Sequence, residues 1–308
     1  GMPVVGSGGP FKPYATYYFV DASNFTQAAS DGNDGLSPEN PFSTMGRVFT
    51  VMGEKNGEGG SGSVICFIGN VAEQLTTPAG IFDVTIIGCG NSPRNADAFD
   101  GVNGYSAATW KAPSSPTAST PLLKVQQQGW SFYNFLFAAA PAATASVVLF
   151  RDGGAGDAER DASHAQFWNM RFDGSPMGIQ ANGGPNFVTI GNSLFARATT
   201  TAIANTTGAG IGTNLNWNIV NNRFNNNISH IILPANQTTI QGNIMGTFTT
   251  SSIDLLNGIG DNMITGNLLS GTYSIAGGYR RAAASDNWAG NLTPDTGVAT
   301  VLTQNDPA

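Results

Sequence analysis

Asn134-Phe135-Leu136-Phe137, Asn169-Met170-Arg171-Phe172, Asn192-Ser193-Leu194-Phe195 and Asn221-Asn222-Arg223-Phe224 share one pattern, Asn-x-x-Phe, and two positions before each Asn stands Phe132, Phe167, Ile190 or Ile219. A recurrence of this kind is the mark of stacked structural repeats, in which each unit buries its apolar face against the next. In a parallel solenoid each rung lies roughly 4.8 Å above the last, so equivalent residues stack on their own kind. Asn tolerates the left-handed backbone of a tight corner, and its amide can bond to the Asn one rung away. Phe137, Phe172, Phe195 and Phe224 are then expected to form a single internal aromatic file.

Gly-Asn pairs close short apolar strands at Gly69-Asn70, Gly90-Asn91, Gly191-Asn192, Gly242-Asn243, Gly266-Asn267 and Gly290-Asn291. Spacings of 21 (70 to 91), 24 (243 to 267) and 24 (267 to 291) give a repeat of 22 to 24 residues, and the 101 positions from 91 to 192 leave room for four more turns with insertions. A propeller would want repeats of about 40 residues, and a sandwich would want hairpins. The expected fold is therefore all-β: a single-stranded, right-handed parallel β-helix with a short N-terminal capping helix.

Composition agrees. Charged residues make up 11% of the 308 positions while Gly numbers 40, a mixture that suits turns rather than solvated helices, and 41% hydrophobic content suffices for a core. The formal charge of −7, without any basic stripe, excludes nucleic acid as a partner. No apolar run approaches the roughly 20 residues of a membrane helix, so no membrane insertion is expected. Cys66 and Cys89 are too few for a disulfide framework and read as buried free thiols.

Along the chain, residues 1–16 read as a flexible Gly- and Pro-rich arm and 17–63 as a capping segment. In the latter, Tyr17 to Asp21 is strand-like, and Met45, Val48, Phe49 and Met52 fall on one helical face capped by Ser43 or Thr44. Rungs occupy 64–291. The tail 292–308 is either an exchange segment of a homotrimer or a cover for the last rung, whose open parallel edge invites aggregation. Residues 2 to 13 lack a basic n-region and an apolar h-region, so no classical signal peptide is read.

The run Val20-Asp21 and Asp34-Gly35-Leu36-Ser37-Pro38-Glu39-Asn40-Pro41-Phe42-Ser43-Thr44, followed by a short helix, resembles the N-terminal capping segment of pectate-lyase-like β-helix proteins. The rungs from Val64 to about Asn291 continue the likeness. It implies the fold but little about activity, because that superfamily includes polysaccharide lyases, glycoside hydrolases, phage tailspikes and proteins of no known activity.

Chemistry-bearing residues are sparse. The stretch from Asn134 to Asn169 exceeds one rung by about a dozen residues, and the excess falls in the charged loop 151–161. Asp152, Asp157, Glu159 and Asp161 could offer oxygens to Ca²⁺, although their spacing matches no EF-hand or nonapeptide repeat; a solvated, self-paired loop is the alternative. Arg171 and Arg223 occupy one position in their rungs, opposite in parity to the buried Phe, with Leu194 between them, so both are expected to face out of the same wall. A lyase base would be sought among Arg171, Arg197 and Arg223; an inverting hydrolase would need two carboxyls, for which only Asp173 with Asp152 or Asp161 presents itself. Arg171 also fits a surface arginine whose stem packs on its neighbours.

Tyr133 and Trp168 precede the Asn of their rungs, and Tyr105, Trp110 and Trp130 lie in or near a long insertion, 92–128. Flat rings of this kind either grip sugar faces or fill corners of the core. His164 joins Tyr133 and Trp168 as a candidate glycan contact. As a histidine without ligand-spaced neighbours it also fits a structural role, as does His230.

Two functions stay open: a structural or adhesive β-helix, outside the cell or on a virion, that binds polysaccharide on its outer wall and has a virion partner; and a polysaccharide lyase or glycoside hydrolase of the same fold. The metal reading is directly testable. If the acidic loop holds Ca²⁺, added calcium raises the melting temperature and a chelator reverses it; a melt indifferent to both leaves the loop solvated.

Overall fold

In the computed structural model, residues 15–54, 60–90, 108–118, 120–138, 148–151, 162–182, 184–205, 214–255, 257–270, 278–293 and 300–301 are described. Short strands of alternating parity assemble into three principal sheets, ordered 1, 2 and 3 along each rung, of ten, seven and eight strands. Every pairing within the coil is parallel, and successive strands of each sheet come from successive rungs, as in Tyr133, Trp168, Gly191 and Val220 of sheet 1. The chain thus has a parallel β-helix fold. Sheet 1 already begins at Tyr17–Asp21, which pairs in register with Val64–Ile68.

The expected aromatic file is present in sheet 2. Phe137, Phe172, Phe195 and Phe224 are Cα partners in turn. Their ring centroids are 5.5, 4.6 and 5.1 Å apart, with planes within 22°. Trp110 extends the file below and Met245 above. Trp110 therefore belongs to a rung, not to a surface insertion: Thr109–Lys111 and Leu123–Val125 are strands of sheets 2 and 3, lying inside the stretch expected to be inserted. Trp110 and Trp130 are both fully buried, their indole nitrogens donating to the carbonyls of Glu73 and Ile81. Their side chains are core, not glycan contacts.

The corner between sheets 1 and 2 shows why the two sequence patterns must be offset. Asn134, Asn169, Asn192 and Asn221 have φ between 51° and 62°, and in the later rungs Gly242, Gly266 and Gly290 take the same left-handed place. Glycine adopts that backbone freely, and the residue after the corner points inward whether Asn or Gly precedes it. Asn222, Asn243, Asn267 and Asn291 are accordingly buried and form a second file. The Oδ1 of Asn243 accepts both the backbone N–H (2.8 Å) and the Nδ2 (3.1 Å) of Asn222, and Asn267 and Asn291 repeat the arrangement. Each Nδ2 gives its other hydrogen to a carbonyl two rungs below its ladder acceptor, those of Ile190, Ile219, Ile240 and Ile264. No amide hydrogen of the internal Asn222, Asn243 and Asn267 is left over, which is what makes a buried polar column tolerable. At the outer corner an amide link of the expected kind joins Asn169 Nδ2 to Asn134 Oδ1 at 2.7 Å.

At the N-terminal end, helix Met45–Glu54 buries Met45, Val48, Phe49 and Met52 as its spacing requires. Thr44 Oγ1 accepts from the Arg47 N–H at 3.1 Å, the expected N-cap. Asp31 holds the cap in place by accepting from the N–H and hydroxyl groups of Ser43 and Thr44. Two further helix amides, of Met45 and Gly46, donate to the carboxylate of Glu73, on the rung that follows the helix. At the other end Thr300–Val301 pairs antiparallel with Leu292–Thr293, so the described part of the tail folds back on sheet 2.

Replacing one member of the internal amide file orphans donors on the rung before it. Asn267→Ala should lower unfolding free energy by at least about 2 kcal/mol in urea melts, whereas Asn218→Ala on the surface should change it by less than about 0.5 kcal/mol. Equal effects would contradict the ladder.

Candidate functional site

The outward positions of sheet 1 make a long wall. Two files run along it from Ser131 to Ala289, one reading Ser131, Gln166, Thr189, Asn218, Thr239, Met263 and Asn287, the other Tyr133, Trp168, Gly191, Val220, Gln241, Thr265 and Ala289. Tyr133 and Trp168 are direct Cα partners on this wall. Gln166 joins them, its Oε1 accepting from the Tyr133 hydroxyl at 3.4 Å and from the Trp168 indole N–H at 3.3 Å. The six-membered part of the indole covers Gly191 on the next rung, where a Cβ would run into the ring. Trp168 is half-buried, so the ring rests on glycine while part of it meets solvent. Burial raises the Tyr133 phenol above its usual range, although a hydrogen bond with Ser131 opposes this. The phenol is a neutral hydrogen-bonding group near neutral pH.

Sheet 2 presents a different wall. Arg171, Leu194 and Arg223 form one outward file, as parity predicts. Arg223 is exposed, but Arg171 is only 6% exposed, so it is not the surface arginine that sequence allowed. Arg171 donates from Nε (3.1 Å) and a terminal nitrogen (2.7 Å) to Oδ2 of Asp173. Arg197, in a left-handed corner, donates from Nε (2.8 Å) to the other oxygen and pairs with it through a terminal nitrogen at 2.7 Å. Three of the six residues weighed for catalysis, Arg171, Asp173 and Arg197, thus come together in one ion-pair cluster. With each oxygen gripped by a guanidinium, Asp173 has no open oxygen to offer a glycosidic bond.

His164 lies at another corner, between sheets 3 and 1, exposed and stacked on Phe187 (4.9 Å, 11°). Both adopt left-handed backbone, φ 61° and 57°, unusual for a ring as bulky as Phe187. That corner sets His164 apart from Tyr133 and Trp168, which lie on the sheet wall itself. His230 is fully buried and takes the structural role: Nε2 donates to the Gly246 carbonyl (3.0 Å), leaving Nδ1 to accept from Asn227 (3.1 Å). Cys66 is buried and Cys89 partly so, both as free thiols. A hydrogen bond between them raises the Cys66 thiol and lowers that of Cys89. Asp152, Asp157, Glu159, Asp161 and Tyr105 lie outside the described residues. Among the described residues, no cluster of three or more His, Cys, Asp or Glu could hold a metal, and no helix is long and apolar enough to cross a membrane.

No family model matches the chain, and no curated protein matches it. Among solved structures it is similar to the crystal structure of ybhc from Escherichia coli, at 10% identity and a TM-score of 0.46 over 97% of this chain and 82% of that one. It is also similar to a mutant of the PL6-family alginate lyase AlyGC, at 14% identity and a TM-score of 0.35 over 81% of this chain and 39% of that one.

Burial pushes the His230 imidazole down from 6.5 to about 4, against the opposing hydrogen bond with Gly246. The unfolded chain therefore binds a proton that the folded chain refuses, and stability present above about pH 6.5 is lost as pH falls toward 4, by up to about 1.4 kcal/mol per pH unit. Urea midpoints at pH 7 and 4.5 should separate more for the native protein than for His230→Gln; parallel pH profiles would contradict this role.

Proposed function

We propose that this protein binds polysaccharide on the outer wall of sheet 1 as a structural or adhesive component. The observation that carries the reading is the Trp168 ring seated over Gly191 and flanked by Gln166 and Tyr133. Supported beneath by backbone and tied at its N–H, the indole offers apolar area at little further entropic cost, which is how aromatic rings hold sugar faces. Such a protein meets its ligand outside the cell or at the surface of a particle.

Among the described residues, the carboxylate nominated for a lyase or hydrolase, Asp173, stands on the sheet 2 wall and is already bound by Arg171 and Arg197. That arrangement favours holding the coil together over proton transfer.

The test is a binding panel of polysaccharides immobilised in native gels, with reducing ends and unsaturated products measured in parallel. Trp168→Ala should weaken binding by about tenfold, equivalent to roughly 1.4 kcal/mol, with an unchanged circular dichroism spectrum. Retained affinity in that variant would overturn the site, and turnover of any glycan would overturn the non-catalytic role.

A further inference from the structure

The chemistry of the sheet 1 wall narrows the ligand. From Ser131–Tyr133 to Asn287–Ala289, no outward position carries Asp, Glu, Lys, Arg or His. Sheet 2, by contrast, turns Lys111, Arg171, Asp173 and Arg223 outward. Charge is thus segregated away from the wall that bears the indole. Acidic residues border it at the corner leading into the sheet, where Asp83 and Asp261 take left-handed backbone, and the whole chain carries −7. Among the described residues of the two files, a uronate or sulfate would find no Lys, Arg or His to receive it, the one ring at the bordering corner, His164, being stacked on Phe187, and the net charge would repel it from a distance.

What the wall does offer is side chains that both donate and accept, or do so through amides. Gln166, Thr189, Asn218, Thr239 and Gln241 are all at least partly exposed, on consecutive rungs. Sugar hydroxyls have the same dual character, and amide and hydroxyl groups satisfy them without net charge. Geometry adds a direction. Each strand here is only three residues wide, about 10 Å, whereas rungs repeat along the axis every ~4.8 Å. A surface uniform over many rungs but narrow across suits an extended chain laid along the coil.

Resting on the glycan-binding reading above, we infer that the ligand is a neutral, linear polysaccharide lying along the coil axis, stacked on Trp168 and hydrogen-bonded by the amide and hydroxyl side chains as far as Gln241. Acidic polysaccharides are not its ligands.

The experiment compares a neutral glucan, a neutral galactomannan, polygalacturonate and alginate for binding to the full chain in low and high salt. A neutral polymer should bind, with affinity changing less than about twofold with salt because no ion pairs are screened. Trp168→Ala and Gln241→Ala, which lie on the same wall several rungs apart, should each weaken a long neutral chain at least about threefold, while a disaccharide should respond to Trp168→Ala alone. Lys111→Ala, on the sheet 2 wall, should bind as the native protein does. Binding confined to the two acidic polymers, salt-sensitive and weakened by Trp168→Ala, would overturn this inference while leaving the glycan wall in place. Acidic binding indifferent to Trp168→Ala, or no binding by any of the four, would overturn the wall as well. Loss with Trp168→Ala but not with Gln241→Ala on the long neutral chain would overturn the axial path.

Discussion

A buried amide must find an acceptor for each of its hydrogens, and for Asn222, Asn243 and Asn267 those acceptors stand on the rungs immediately above and below. The internal file Asn222, Asn243, Asn267 and Asn291 meets that demand by making each Oδ1 from Asn243 onward the acceptor for two hydrogens of the Asn below. A slip of the chain by one residue would leave several buried donors without acceptors at a cost of about 1–3 kcal/mol each. Apolar stacking in sheets 1 and 2 supplies most of the burial, but rings and aliphatic side chains tolerate slippage better than amides do. Register is therefore held by the polar column from Asn222 to Asn291, with the outer Asn134–Asn169 link in the rungs below it, and the two outward walls inherit it.

That inheritance is what gives the surface its order. Because rungs stay in register, residues chosen one per rung become continuous files: a charge-free file on sheet 1 that begins with Tyr133 and Trp168, and an arginine-bearing file on sheet 2. The fold thus converts a weak sequence repeat into two faces of different chemistry. Asp173 shows the same economy, tying Arg171 of its own strand to Arg197 of the next rung.

Much of this was legible in the sequence, for a physical reason. Phe in Asn-x-x-Phe is large, apolar and regularly placed, so the aromatic file and the parity of Arg171 and Arg223 followed directly. The internal amide file was hidden because Gly-Asn and Asn-x-x-Phe look like one column when they are two, offset by a residue: Asn192 and Asn221 are corners, whereas Asn243 and Asn267 are interior. Trp110 was missed as a rung member because neither mark of the later rungs is present: Ala107 stands where they have Asn, and Trp where they have Phe. Parity told which way Arg171 points but not that it would be covered and paired, since Arg197 arrives from the following rung. Glu73 reaches the helix amides of Met45 and Gly46 from more than two dozen residues away, beyond any local capping pattern. The corner holding His164 and Phe187 uses Gly129, Asn216 and Gln237 at equivalent places, with no common residue type to announce it.

The central claim is that residues of successive rungs stand directly over one another, and cross-linking tests it most plainly. Asn218 and Thr239 are Cα partners, and neighbouring strands lie within the roughly 4.4–6.8 Å that a disulfide spans, whereas Asn218 and Gln241 are displaced diagonally beyond it. With Cys66 and Cys89 distinguished by peptide mass mapping, mild oxidation should join Asn218→Cys to Thr239→Cys and leave Asn218→Cys and Gln241→Cys as thiols. The reverse preference would place these strands out of register and contradict the account.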